Sequence, residues 1–231
     1  MKIMQIEKLL RLYRKLLETI ELGQKTFSEE NISVFNFSKG ARYNNKLLVV
    51  GWAVNGWNNY KKHEVTQKIL EVENNIQTDD LQWVSDQWGD TINYNTKKSA
   101  FWRISNKIAR NFDDELLDNL STLSYTNLYK ISKALKGNPS DKLCELQLGI
   151  CKENLIEEIK ILNPDNIIFL TGWGWAQWFL KGNTRINLTS KPKNKYVEYV
   201  GNSGKIKIIV GQHPQGKSET EHLKEILAEI D

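Results

Sequence analysis

Three histidines occur in the chain, and His213 stands in the setting best suited to chemistry. It lies in Gly211-Gln212-His213-Pro214-Gln215-Gly216, directly after the apolar run Ile206–Val210. A histidine there can donate a hydrogen bond to charge developing on a bound group. A turn histidine satisfied by the backbone has the same appearance in sequence. His63 and His222 sit among charged residues and read as surface positions. Asn127 lies near the end of a second apolar segment, Leu123–Leu128. Its amide carries donor and acceptor, which suits it to the edge of a nucleobase, although asparagines also cap strand ends. Asn55, in Gly51-Trp52-Ala53-Val54-Asn55-Gly56, follows the run Leu47–Val50 and carries the same ambiguity, since Asn-Gly is also a turn dipeptide.

Other chemistries lack their residues. No G-x-x-x-x-G-K-[ST] occurs, no G-x-G-x-x-G follows a strand, and there is no G-x-S-x-G elbow. Gly172-Trp173-Gly174 lacks a third glycine and is followed by bulky tryptophans, a poor cradle for pyrophosphate. Cys144 and Cys151 are the only cysteines. At helical spacing they share a face without closing a disulfide, and two cysteines cannot ligate an iron–sulfur cluster. With no histidine nearby in zinc spacing they read as small buried hydrophobes. Neither a cofactor nor a metal is expected.

The elements that must position these residues alternate in type. Apolar spacing from Ile3 to Ile20 predicts an amphipathic helix over 2–22, not a secretion signal. Short strands are expected at Leu47–Val50, Leu123–Leu128, Asn166–Leu170, Tyr196–Val200 and Ile206–Val210. Helices are expected at Ala100–Asn111, capped by Ser99, at Glu145–Leu162, at Trp175–Leu180 and at Ser218–Ile230. Residues 31–45 and Tyr129–Leu143 read as loops, and about 58–98 as an insertion projecting from the first strand's end. The expected fold is α/β, a three-layer α/β/α domain over 1–231 with a short, mainly parallel sheet of four or five strands. In open sheets of this kind ligands bind beyond the carboxyl ends of the strands, so the loops after Leu47–Val50 and Ile206–Val210 are expected to be halves of one site. No apolar run approaches the roughly 18–20 residues that cross a bilayer, and a cytoplasmic protein without a membrane partner is expected.

The net charge is only +4, but the distribution is uneven. No acid occurs from Asn31 to His63, where Lys39, Arg42, Lys46, Lys61 and Lys62 stand. Lys97, Lys98, Arg103, Lys107 and Arg110 form a second such stretch. A third runs from Lys181 to Lys207, opposed only by Glu198. Solvated lysines and a polyanionic partner both account for this pattern.

Taken in order, VVGWAVNGW, SYTNL, IIFLTGWGWAQ and GQHPQG resemble the motif series of the uracil-DNA glycosylase superfamily, and Ser99-Ala100-Phe101-Trp102-Arg103 is similar to a segment of its mismatch-specific branch. The resemblance covers about Leu47 to Gly216 and marks a divergent member. It implies a uracil-DNA glycosylase-like fold and a monofunctional DNA glycosylase. Such an enzyme, here a monomer in base excision repair, hydrolyses the N-glycosidic bond of a flipped-out uracil or other altered base in single- or double-stranded DNA. On it, Asn127 reads the extruded base, and Phe101, Trp57 or Tyr94 stacks on it. His213 stabilises the departing base, and Asn55 or a neighbouring carbonyl positions the water. Gln215, Gly216, Lys217, Ser218 and Arg103 meet the DNA. The first loop departs from the family pattern: Ala53 stands where the family has its polar residue, Asn55 comes two positions later, and the proline is absent. An amide cannot act as a general base, so turnover is expected to be slow. A relative that binds DNA or a nucleotide without catalysis is the alternative.

Overall fold

The computed structural model describes residues 2–22, 32–53, 59–60, 81–92, 94–112, 119–133 and 138–230. In chain order the elements are α1 (Lys2–Leu22), β1 (Ile32–Val34), β2 (Ser38–Lys39), β3 (Leu47–Ala53), β4 (Asn59–Tyr60), α2 (Gln82–Asp86), α3 (Ala100–Arg110), β5 (Ser124–Tyr129), β6 (Ile131–Lys133), α4 (Asp141–Leu162), β7 (Asn166–Leu170), α5 (Trp173–Leu180), β8 (Ile186–Ser190), β9 (Val197–Ser203), β10 (Ile206–Gly211) and α6 (Glu219–Leu227). Serine side chains start three of the helices. Ser99 accepts from the Trp102 N–H, Ser140 from Leu143 and Ser218 from Glu221. Asn163, in the left-handed region at φ 46°, ends α4 just before Pro164.

The chain divides into two compact units. The first comprises 1–37, 52–78 and 126–163. In it α1 buries Leu9, Tyr13, Leu16, Leu17 and Ile20 and packs along α4. A three-stranded antiparallel sheet, β4-β1-β6, pairs Ser33 with Asn59 on one side and Ser132 on the other. The buried face of α4 is partly polar, with Gln147, Cys151, Asn154 and Glu158 on one stripe. Gln147 takes the N–H groups of Lys130 (3.2 Å) and Ile131 (3.0 Å) on its Oε1 and donates to the Ile131 carbonyl at 2.7 Å. Cys144 and Cys151 are free and buried, and desolvation pushes their thiols up to about 11 and about 12.

Asn154 is fully buried, and neither amide atom has a hydrogen-bond partner among the described residues. An unsatisfied buried amide costs about 1–3 kcal/mol. Asn154→Leu, close in shape, is therefore expected to raise stability by roughly 1–2 kcal/mol; urea unfolding of the two proteins measures it.

The second unit comprises 38–51, 79–125 and 164–231. Its sheet has the strand order β2-β5-β3-β7-β10-β9-β8, with Thr126–Tyr129 of β5 and Trp52–Ala53 of β3 assigned to the first unit. The architecture is mixed α/β, and the expected parallel arrangement holds at the sheet's centre. There β3 and β10 both run parallel to β7, with Val50 and Val210 each opposite Phe169. Outside that centre, β2, β9 and β8 pair antiparallel. Four or five strands were expected and seven are present among the described residues. The additional two are the edge strands. β2 has only two residues, and β8 reads Ile-Asn-Leu-Thr-Ser, with every residue half-buried or exposed. Neither offers the apolar run that marks a buried strand. For the same reason β1 and β6 fall in stretches that read as loops.

Gly201-Asn202-Ser203-Gly204 reads as a turn, yet β9 continues to Ser203 and the reversal falls on Gly204-Lys205. Gly204, at φ 61°, supplies the positive φ that a two-residue hairpin needs. Gly201 serves close approach instead: a Cβ there would stand 1.7 Å from the Asn187 carbonyl oxygen of β8. Of the insertion expected at about 58–98, 58, 61–80 and 93 lie outside the described residues. No helix among the described residues is long and apolar enough to cross a membrane.

Candidate functional site

His213 is set by the end of β10. Ile208, Ile209 and Val210 are buried between β7 and β9, and the strand closes at Gly211. The Gly211 carbonyl accepts the Gly172 N–H at 2.8 Å, and the Gln212 N–H donates to the Tyr196 carbonyl at 2.9 Å. These two bonds tie the loop after β10 to the end of β7 and the start of β9. The far side of the loop is held by α6. Ser218 caps that helix, and the Glu225 carboxylate accepts the N–H groups of Lys195, Tyr196 and Val197 at 2.9, 2.7 and 2.8 Å.

Within the loop, His213 Nδ1 accepts the Gln215 N–H at 3.3 Å. An accepting Nδ1 carries no proton, so the neutral imidazole holds its hydrogen on Nε2. Burial, and secondarily the nearby Lys217 ammonium, keep the His213 pKa below its ordinary value, which favours that neutral form.

An aromatic wall faces the imidazole. The Phe101 ring, at the start of α3, lies near-parallel to it with centroids 6.4 Å apart and planes at 22°. Phe101 meets Tyr125 edge-on at 5.4 Å, and Trp102 packs on Tyr125 at 4.9 Å and on Trp83 at 5.7 Å. Tyr125, Trp102 and Trp83 form this wall without having been singled out from the sequence; Trp102 follows Phe101 directly, and Tyr125 comes two positions before Asn127.

Seven of the candidate residues, Phe101, Arg103, His213, Gln215, Gly216, Lys217 and Ser218, thus gather in the second unit. Phe101 faces His213, Gln215 bonds it, Ser218 caps α6, and Arg103 reaches the next residue, Glu219. Arg103 Nε donates to Glu219 Oε1 at 2.6 Å, a second guanidinium nitrogen pairs with the same oxygen, and Lys107 bonds Oε2 at 3.1 Å. The Arg103 hydrogen bond, helped by Lys107, holds the Glu219 carboxyl below its usual range. Gly216 turns the loop at φ 73°, and Lys217 donates its N–H to the Pro214 carbonyl at 3.1 Å.

Four candidates remain. Tyr94 is 58% exposed and Asn127 is 1% exposed, the latter in the first unit. Asn55 and Trp57 lie outside the described residues. Among the described residues no three of His, Cys, Asp and Glu group so as to hold a metal ion.

His222 overturns its sequence reading. It is fully buried on α6 instead of lying at the surface, with its ring 5.1 Å from that of Tyr196. Its neighbours in sequence are charged, yet helical periodicity sets residue 222 on the buried face of α6, which a window average hides. A Cβ on Gly211 would stand 3.1 Å from His222 Nε2, so this residue supports the loop's root from beneath. Burial lowers its pKa to about 4. The unfolded chain binds a proton near pH 6.5 and the folded chain does not. This share of stability is therefore complete above pH 6.5 and is lost as the pH falls toward 4, by about 3 kcal/mol. Urea unfolding of wild type and His222→Phe at pH 7 and pH 4.5 is expected to show a smaller acid loss in the variant.

No model of a known protein family matches this chain.

Proposed function

We propose that the protein is a monofunctional DNA glycosylase of the uracil-DNA glycosylase type. It hydrolyses the N-glycosidic bond of a flipped-out uracil or other altered base, as a cytoplasmic monomer whose single domain has the three-layer fold of that superfamily. The observation that carries this reading is the neutral His213, its proton on Nε2, held at the end of a central parallel strand opposite Phe101.

The base's glycosidic bond breaks with its electron pair leaving on the base, and water adds at the sugar carbon and gives its proton to solvent or to the base. Nε2–H is the donor for the negative charge that builds on the base, the step at which such donors contribute most. Phe101 offers an aromatic face to the base. Asn127 is assigned its Watson–Crick edge, and Asn55 or a neighbouring carbonyl the water. Gln215, Gly216, Lys217 and Ser218 are assigned to the DNA backbone. Arg103, already bonded to Glu219, braces the loop as well as adding charge.

Ala53, at the position where the superfamily has a polar residue, favours a second reading, a relative that binds DNA or a nucleotide without cleaving it. A mass-spectrometric screen for free base over a panel of modified single- and double-stranded oligonucleotides separates the two. Release of any base supports the glycosylase. Salt-dependent binding with no release across the panel rejects it for the binding protein.

A further inference from the structure

A lysine and a glutamate, both wholly removed from solvent, meet in the first unit beside Asn127. Lys130 Nζ lies 2.7 Å from Glu158 Oε2, 2.6 Å from Thr126 Oγ1 and 2.6 Å from the carbonyl oxygen of Asn127. An ammonium has three protons, and all three find acceptors. Glu158 Oε2 also takes the Thr126 hydroxyl at 2.7 Å, while Oε1 lies 3.1 Å from the Tyr13 hydroxyl. Two of the three Lys130 acceptors belong to Thr126 and to Asn127 itself, so the pair grips the segment that carries the base-reading candidate. Gln147, three turns earlier on α4, bonds the main chain of Lys130 and Ile131. Helix α4 thus holds the stretch from Thr126 to Ile131 at both ends.

Fold stability does not account for such an arrangement. A buried ion pair contributes about as much as well-packed apolar side chains of the same volume, or less. What it supplies that apolar side chains cannot is direction: a charge-assisted bond fixes the position of a particular carbonyl.

We propose that Lys130, clamped by Glu158, is a positioning residue that fixes the backbone of Asn127 so that its amide is held ready for the base. This rests on the glycosylase reading above. In chemical terms the pair pre-organises a recognition group, and loosening it costs rate and base selectivity more than affinity.

The test uses the full-length protein. In Lys130→Met/Glu158→Leu both charges go together, so no orphan charge remains. Thr126→Val keeps the ion pair and removes one of its acceptors, which serves if the double variant does not fold. The first measurement is the side-chain amide signals of Asn127 in a ¹⁵N spectrum, assigned by their loss in Asn127→Ala. The second is kcat and KM for base release. A folded double variant is expected to show shifted or broadened Asn127 amide signals, a kcat about 10²-fold lower and a KM little changed. Thr126→Val is expected to shift in the same direction by less. Unchanged amide signals in either folded variant overturn the positioning role, and so does a double variant with wild-type kcat and base preference. A wild-type protein that releases no base overturns the glycosylase reading and the catalytic part of this proposal, while the amide signals still decide whether the pair positions Asn127.

Discussion

Replacing His213 by alanine is expected to lower the rate of base release by about 10²–10³-fold, the usual cost of removing one donor aimed at developing charge. KM is expected to change little, because the charge that Nε2–H meets forms only as the bond breaks. The Gln215 N–H gives this prediction a pH signature. It occupies Nδ1, so protonating the ring would set two hydrogens against each other and break that bond. With the pKa held below 6.5, the rate is expected to be level above that pH and to fall as the pH drops through the folded value. Asn127→Ala is expected to lose base discrimination along with rate. Initial rates on two oligonucleotides that differ only in the altered base, followed from pH 4.5 to 8, check both variants. Wild-type rates in each would reject the assignment of these side chains.

Lys130→Met alone is expected to destabilise the protein by about 3–5 kcal/mol, because it leaves the Glu158 carboxylate buried without its cation. Domains hold roughly 5–15 kcal/mol in total, so the single variant approaches the limit of folding. Adding Glu158→Leu is expected to restore most of that loss, since the second substitution removes the orphan charge. Denaturant unfolding of wild type, both single variants and the double variant closes the cycle, and the non-additivity measures the coupling directly. Equal effects that simply add would mean that the two side chains do not depend on each other. The thermodynamic cycle and the rate measurements read different things: one measures the cost of an unpaired charge, the other the placement of Asn127.

The buried central strands were readable because they are written locally. Leu47–Val50, Asn166–Leu170 and Ile206–Val210 are short apolar runs ended by polar or glycine residues, and all three are strands of the central sheet. Ser99 announced its helix in the same local way. What escaped depends on partners distant in sequence. Lys130 has the composition of a surface residue until Glu158, 28 positions later, buries beside it. Arg103 resembles a free cation until Glu219, 116 positions later, accepts it. His222 has acids and lysines for neighbours along the chain, while the helix turns its ring inward. The edge strand β8 shows no apolar run because every residue in it is half-buried or exposed. Local pattern reveals what a segment prefers, and burial of charge is decided by what folds against it.

Strand β8 has a further consequence. It ends the seven-stranded sheet, and among the described residues no strand lies beyond it. Gly201 lets β9 approach it closely on the inner side, and among the described residues no strand pairs with the outer row of N–H and C=O groups. Edges of this kind template pairing with other chains, and proteins guard them with charge. Lys181 and Arg185 precede β8 and Lys191 and Lys193 follow it, Lys191 being paired with Glu229 at 2.8 Å. Cations that suggest a polyanionic partner thus also stand where natural sheets carry charge against edge-to-edge pairing.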